Sequence, residues 1–155
     1  MKRFVDCLEK VKIIFITTLF FFLVIVVFLQ VFTRFVLLKP LMWTEEVARF
    51  CFIWLVFMGA SVNVRKRAHF AIDLFSHRLT SRARTYLSFL IYAFVGIFAV
   101  SLIILGWIFF TVGLDRVSPT IDISMAYIYA AIPLGGLFML VYTIEFYYRE
   151  IKKLS

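Results

Sequence analysis

Cysteine and histidine are nearly absent from this 155-residue chain, with two of each, and only nine residues are acidic. Cys7 and Cys51 lie too far apart to form a dithiol motif, and Cys51 sits in an apolar run where a buried thiol is the ordinary state. His69 and His77 are the only imidazoles, which leaves little material for a serine–histidine–acid triad or a zinc site. The six glycines form no phosphate-binding loop, and no pair of acidic residues has metal-ligand spacing. These absences argue against an enzyme, and nothing in the chain calls for a cofactor.

What is abundant is apolar. Hydrophobic residues make up 64% of the chain, phenylalanine alone contributes 20, and charged residues only 17%. A soluble domain of this size cannot hide so much apolar surface, whereas lipid accepts it. The fold class expected is an all-α integral membrane protein with four spans, at about residues 12–35, 43–64, 85–114 and 123–144. Ile13 to Thr33 is an uncharged run of 21 residues with no small-residue cleavage site after it, so it reads as a span rather than a signal peptide. In the second stretch the uncharged part, Phe50 to Val64, has only 15 residues. It reaches spanning length by including Glu45 to Arg49, which places those charges at headgroup level or against protein. The third stretch, Thr85 to Leu114, carries no charge over 30 residues. The fourth ends at Ile144, with Glu145 just beyond it.

Four spans put both termini on one side. Thirteen of the 17 basic residues fall in the N-terminal segment, the connection between spans two and three, and the tail. Arg34, Lys39, Arg49 and Arg116 lie towards the other side. The positive-inside rule therefore assigns the termini and the middle connection to the cytoplasm. Lys and Arg there, Lys12 included, are expected to meet anionic lipid heads. That accounts for the net charge of +8 without nucleic acid, for which no recognition module is present.

Two connections deserve closer reading. Leu37-Leu38-Lys39-Pro40-Leu41-Met42-Trp43 is apolar, and its proline predicts a turn near Lys39 with a new helix by Trp43 or Thr44. Thr44 is a candidate cap, and Glu45 and Glu46 would face the positive end of the helix dipole. Arg49 can pair with either acid, and spacing alone does not choose. The cluster is either an anchored helix start or a polar contact with another membrane subunit; being charge-compensated, it is a poor ion or substrate site. In residues 68–79, Ala68, Ala71, Ile72, Phe75 and Leu79 share one helical face, and His69, Asp73, Ser76 and His77 another. This predicts an amphipathic helix lying along the cytoplasmic interface. A metal held by His69, Asp73 and His77 is disfavoured, because the two histidines are two turns apart and no fourth ligand is apparent.

In the last connection Ser118-Pro119 marks a turn, with Asp122 or Ser124 as candidate cap of the final helix. Pro133 is expected to bend that helix, and Gly135-Gly136 to loosen it or permit close packing. Ala126 with Ala130, and Gly59-Ala60-Ser61, offer small-residue faces. A stand-alone small exporter is the rival to a packing subunit. It would want an ionisable group inside the bundle and commonly an internal duplication, and neither is seen in the sequence.

The stretch from Arg34 through Asp73 resembles the small membrane subunit of tripartite ATP-independent periplasmic (TRAP) transporters, the DctQ-like small-permease family. The resemblance is carried by Arg34, the run Trp43 to Arg49 with Glu45 and Glu46, Trp54, Gly59-Ala60, Arg65, His69 and Ile72-Asp73. Tyr127 and Ile132-Pro133-Leu134-Gly135 add to it near the end, and the four-span order extends it along nearly the whole chain. One departure is Ile121-Asp122-Ile123-Ser124, where members often have a proline soon after the Ser-Pro turn. The resemblance implies a bacterial inner-membrane complex in which a large multispanning permease carries the transport path. A periplasmic binding protein delivers an organic anion such as a C4-dicarboxylate or sialic acid, and an ion gradient, commonly sodium, drives uptake. This chain would be the scaffold beside the permease, with no catalytic or substrate-binding residue. Arg34, Trp43, Glu45, Glu46, Arg49, Trp54 and Gly59 would serve partner or interfacial contact, and Arg65, His69 and Asp73 would order the cytoplasmic connector.

Overall fold

The computed structural model describes the backbone of residues 2–76 and 81–154, and the side chains of 8–64, 86–148, 150 and 152. Within those residues the chain is all helical: α1 Lys2–Phe35, α2 Met42–Ser76, α3 Ser81–Leu114, the single turn α4 Ala126–Tyr129, and α5 Ala131–Leu154. Four segments are long and apolar enough to cross a membrane: Leu8–Phe35, Met42–Val64, Tyr86–Leu114 and Ala126–Tyr148. Their shortest length, 23 residues, reaches about 35 Å as a helix, against about 30 Å of hydrocarbon.

The helices follow one another across the bundle in the order α1, α2, α5, α3, with α4 against α3. Among the described residues, the backbone of α1 packs on α2 alone. A seven-residue repeat runs along its inner side, through Lys12, Leu19, Val26 and Thr33, of which all but the half-covered Leu19 are buried. The same repeat marks α3, where Tyr92, Ala99, Gly106 and Gly113 are buried. A strict seven-residue spacing keeps one seam facing a partner helix, as in left-handed helix pairs. Without water in the hydrocarbon, close approach of backbones holds such a seam together, which is why Ala99, Gly106 and Gly113 on α3 are small. Gly106 has no room for a side chain: a Cβ there would come within 2.7 Å of Pro133. At Gly136 it would meet the Ala99 carbonyl at 2.9 Å.

The turn between α1 and α2 falls where Pro40 predicts it. Val36 and Leu37 both donate their N–H groups to the Phe32 carbonyl, and Lys39 donates to that of Thr33. Leu38 takes the left-handed conformation at φ 52°. A leucine there strains the backbone by about 1 kcal/mol relative to glycine. Helix α2 already starts at Met42, so Thr44 lies inside its first turn; its hydroxyl donates to the Leu41 carbonyl at 2.6 Å and is not an N-cap.

Two expectations about helix limits change. Helix α2 continues without a break past Val64 to Ser76, about 52 Å in all, so residues 68–76 extend it rather than form a separate helix. Arg65 to Arg67 do not interrupt it, because arginine is a good helix former. Residues 77–79 of the expected amphipathic helix lie outside the described residues. At the other end, the last span is interrupted at Ala130, with Pro133 one turn on. Proline has no N–H for the Tyr129 carbonyl and its ring crowds that turn, so the break precedes it. The loop before α4 is a compact knot. Ser118 N–H donates to the Ile123 carbonyl at 2.9 Å, Met125 N–H to that of Arg116 at 2.8 Å, and Asp122 turns the chain at φ 59°. Ser124 accepts the Ala126 N–H at 3.3 Å while its own hydroxyl donates to the Gly113 carbonyl at 3.0 Å.

Candidate partner-contact sites

At the end of the bundle where α1 meets α2, the two neighbouring acids of α2 diverge. Glu45 points outward and pairs with Arg49 one turn on at 3.1 Å, both side chains more than 60% exposed. Glu46, about 100° further round the helix, is buried and accepts the hydroxyl proton of Ser118 from the α3–α4 loop. The geometry thus resolves the choice left by spacing: Arg49 takes Glu45, and Glu46 ties α2 to the loop 72 residues away. A carboxylate accepting a buried hydroxyl is the stronger of the two links, because no water screens it. Of these three charged side chains, Glu45 and Arg49 face outward.

Trp54 works inside the chain. Its indole N–H donates to the Tyr127 carbonyl at 3.2 Å, and its ring meets Phe15 edge-on at 6.1 Å, so it joins α2 to both α4 and α1. Gly59 behaves differently from the glycines of the α3–α5 seam: a Cβ there would meet nothing within 4 Å. It is an open notch on α2. Arg34 and Trp43 are exposed near the α1–α2 turn. Arg65, His69 and Asp73 lie on the extension of α2, and their side chains are outside the described residues. Among the described residues no group of three His, Cys, Asp or Glu side chains is placed to hold a metal ion.

The polar core of the opposite end is the feature sequence reasoning missed. Lys12, grouped above with residues touching lipid heads, is 6% exposed. Its Nζ donates to Ser61 Oγ at 3.0 Å and lies 4.2 and 4.3 Å from the ring centroids of Phe138 and Tyr142. Ser61 in turn donates to the Met58 carbonyl at 2.7 Å. Glu145, expected beyond the last span, is 5% exposed within the apolar segment of α5. In both cases the helix runs on past its uncharged stretch, and the position falls on a side packed against neighbouring helices. Lys12 shares the seven-residue spacing of Val26 and Thr33, but only the packing of α1 on α2 shows that this face is the buried one. For Glu145 only the packing of α5 against its neighbours reveals the burial.

These features define a class first: a small multi-pass helical membrane protein whose buried polar groups join its own helices. The chain belongs to the DctQ component family of the tripartite ATP-independent periplasmic transporters, whose model matches residues 23–153. Members of this family are transporter components rather than enzymes. Among its relatives, the sialic acid TRAP transporter small permease protein SiaQ of Vibrio cholerae is 28% identical over 125 residues, covering 81% of this chain and 72% of that protein. The sialic acid TRAP transporter permease protein SiaT of Haemophilus influenzae is 28% identical over 123 residues, or 79% of this chain and 20% of the relative. The C4-dicarboxylate TRAP transporter small permease protein DctQ of Rhodobacter capsulatus is 28% identical over 101 residues, 64% of this chain and 44% of the relative. The chain therefore spans a fifth of the SiaT length and less than half of the Rhodobacter protein.

Proposed function

We propose that this chain is the accessory scaffold of a secondary-active uptake system for an organic anion, a C4-dicarboxylate, sialic acid or related carboxylate. As a single four-span domain it stabilises a large multispanning permease in the bilayer and helps dock a periplasmic binding protein. Sodium is the coupling ion in this reading. Both termini and the α2–α3 connection face the cytoplasm, where their Lys and Arg meet anionic lipid. The observation that carries the reading is the use of the polar groups that link one segment to another, two of the links being buried. Lys12 with Ser61, Glu46 with Ser118, Trp54 with Tyr127 and Tyr147 with Phe89 all bond one segment of this chain to another. A chain that moved a solute by itself would need such groups free to bind and release it. The match of this chain to a fifth of a longer permease polypeptide supports a place beside further permease sequence.

Outward, Glu45 and Arg49 are the polar contacts offered to the permease, with Arg34 and Trp43 at the membrane interface beside them. Co-expression of the tagged chain with its large permease is expected to give a stable complex. Vesicles holding that complex and the binding protein should take up the anion down a sodium gradient, while vesicles holding this chain alone should not. Saturable, gradient-driven flux from the chain alone would establish the rival, a stand-alone exporter.

A further inference from the structure

The turn joining α1 to α2 presents apolar side chains that no helix of the chain covers. Phe35, Val36 and Leu37 are exposed, Leu38 is 80% exposed and Met42 76%. No acidic residue falls between Arg34 and Thr44, and the two cations of this stretch, Arg34 and Lys39, are both exposed. Two observations set it apart from a connection that merely reverses the chain. First, the residue at φ 52° is a leucine, where glycine or asparagine would serve the turn without steric conflict, and its side chain projects away from the bundle. Second, the patch is continuous with the uncovered face of α1, formed by Phe28, Val31 and Phe32, inside a segment suited to hydrocarbon.

We infer that this connection is a lipid anchor on the side of the membrane opposite the termini. Leu37, Leu38 and Met42 enter the boundary between headgroups and acyl chains. Trp43 lies in that boundary with its indole at headgroup level, and Arg34 and Lys39 reach lipid phosphate. An apolar tip flanked by cations and an aromatic ring is the composition such a boundary stabilises. Lipid is the occupant favoured over a protein because the patch extends a hydrocarbon-facing surface and carries only positive charge. The anchor fixes the depth of the α2 start, and so holds the Glu45–Arg49 pair at headgroup level. This goes beyond the accessory role and does not depend on it, since the chain alone in a bilayer suffices to test it.

For the test, Leu38→Cys is placed in the full chain carrying Cys7→Ser and Cys51→Ala. The thiol is labelled with an environment-sensitive nitrobenzoxadiazole dye and reconstituted in phosphatidylcholine vesicles containing phosphatidylglycerol. Emission is expected to be blue-shifted and shielded from aqueous iodide. A nitroxide near the headgroup should quench it about twofold more than one at the acyl terminus. Adding Arg34→Gln and Lys39→Gln should lower the headgroup-nitroxide quenching by about half. The same label at Met42→Cys gives an independent reading if the first variant does not fold. In that background Leu38→Gly, which suits the backbone, should retain the helical circular-dichroism spectrum and weaken the shielding. Iodide-accessible, water-like emission at both positions overturns the anchor. So does shielding that develops only when the large permease or a binding protein is added, which would assign the surface to protein, and so does shielding indifferent to Leu38→Gly.

Discussion

Lys12 is the residue whose removal tests the bundle most directly. It reaches past α2 to Phe138 and Tyr142 of α5, although among the described residues the backbone of α1 packs on α2 alone. A desolvated cation between two rings, with a hydrogen bond to Ser61, stabilises the fold by about 2 kcal/mol. Lys12→Met should therefore lower the thermal midpoint of the detergent-purified chain by several degrees, read by circular dichroism, and an unchanged midpoint would refute the assignment. The exposed Glu45–Arg49 pair predicts the opposite pattern. Salt-bridge energy at such a site is within about 0.5 kcal/mol of zero. Replacing both residues by alanine should leave the midpoint where it was while reducing recovery of the large permease in a pull-down and uptake with it. Normal assembly with altered substrate affinity alone would contradict the contact role.

Between helices, glycine separates a seam that the chain closes on itself from a face left open. Gly106→Leu drives a side chain into Pro133 and Ile132, with backbone of α5 at 2.7 Å. Overpacking of this kind costs about 3 kcal/mol, and in a seam between two backbones it should abolish monodisperse protein in size-exclusion chromatography. A Cβ at Gly59 meets no neighbour within 4 Å, so Gly59→Leu should leave the isolated chain monodisperse with its midpoint unchanged. If the notch on α2 receives the permease, the same variant should fail to retain that subunit, and full retention would remove Gly59 from the contact surface. The interrupted last helix belongs at this scale as well. The proline was visible in the sequence, but the break lies at Ala130, one turn earlier, because the carbonyl deprived of a donor precedes the ring.

For the molecule as a whole, the asymmetric distribution of basic residues predicts its orientation. A cysteine at Ser118→Cys would lie in the loop carrying the Glu46 link, so Thr120→Cys, exposed in the same loop, is the better probe. In intact cells of a strain expressing the Cys7→Ser, Cys51→Ala chain, a membrane-impermeant maleimide should label Thr120→Cys. A cysteine in the arginine-rich connection, at Ser81→Cys, should react only after the membrane is opened. Labelling of the connector from outside would reverse the topology, and with it the placement of the lipid anchor and of the face offered to a periplasmic protein.

Composition by itself determined the solvent of this protein. Twenty phenylalanines and four long apolar stretches have no stable place in water, and that holds whatever the helices touch. The turn at Pro40, the family resemblance from Arg34 to Asp73 and the small-residue positions were legible for the same reason: each depends on local chemistry or on a short pattern. Which of two adjacent glutamates faced inward, where Trp54 sent its indole proton, and whether Lys12 met lipid or protein were decided only in three dimensions. Those outcomes depend on the rotation of one helix against another, and on residues about 50 to 70 positions apart arriving at the same depth. In a bundle where lipid is as apolar as leucine, hydrophobicity does not rank one helix face above another; close packing and polar bonds do, and they exist only once the helices have met.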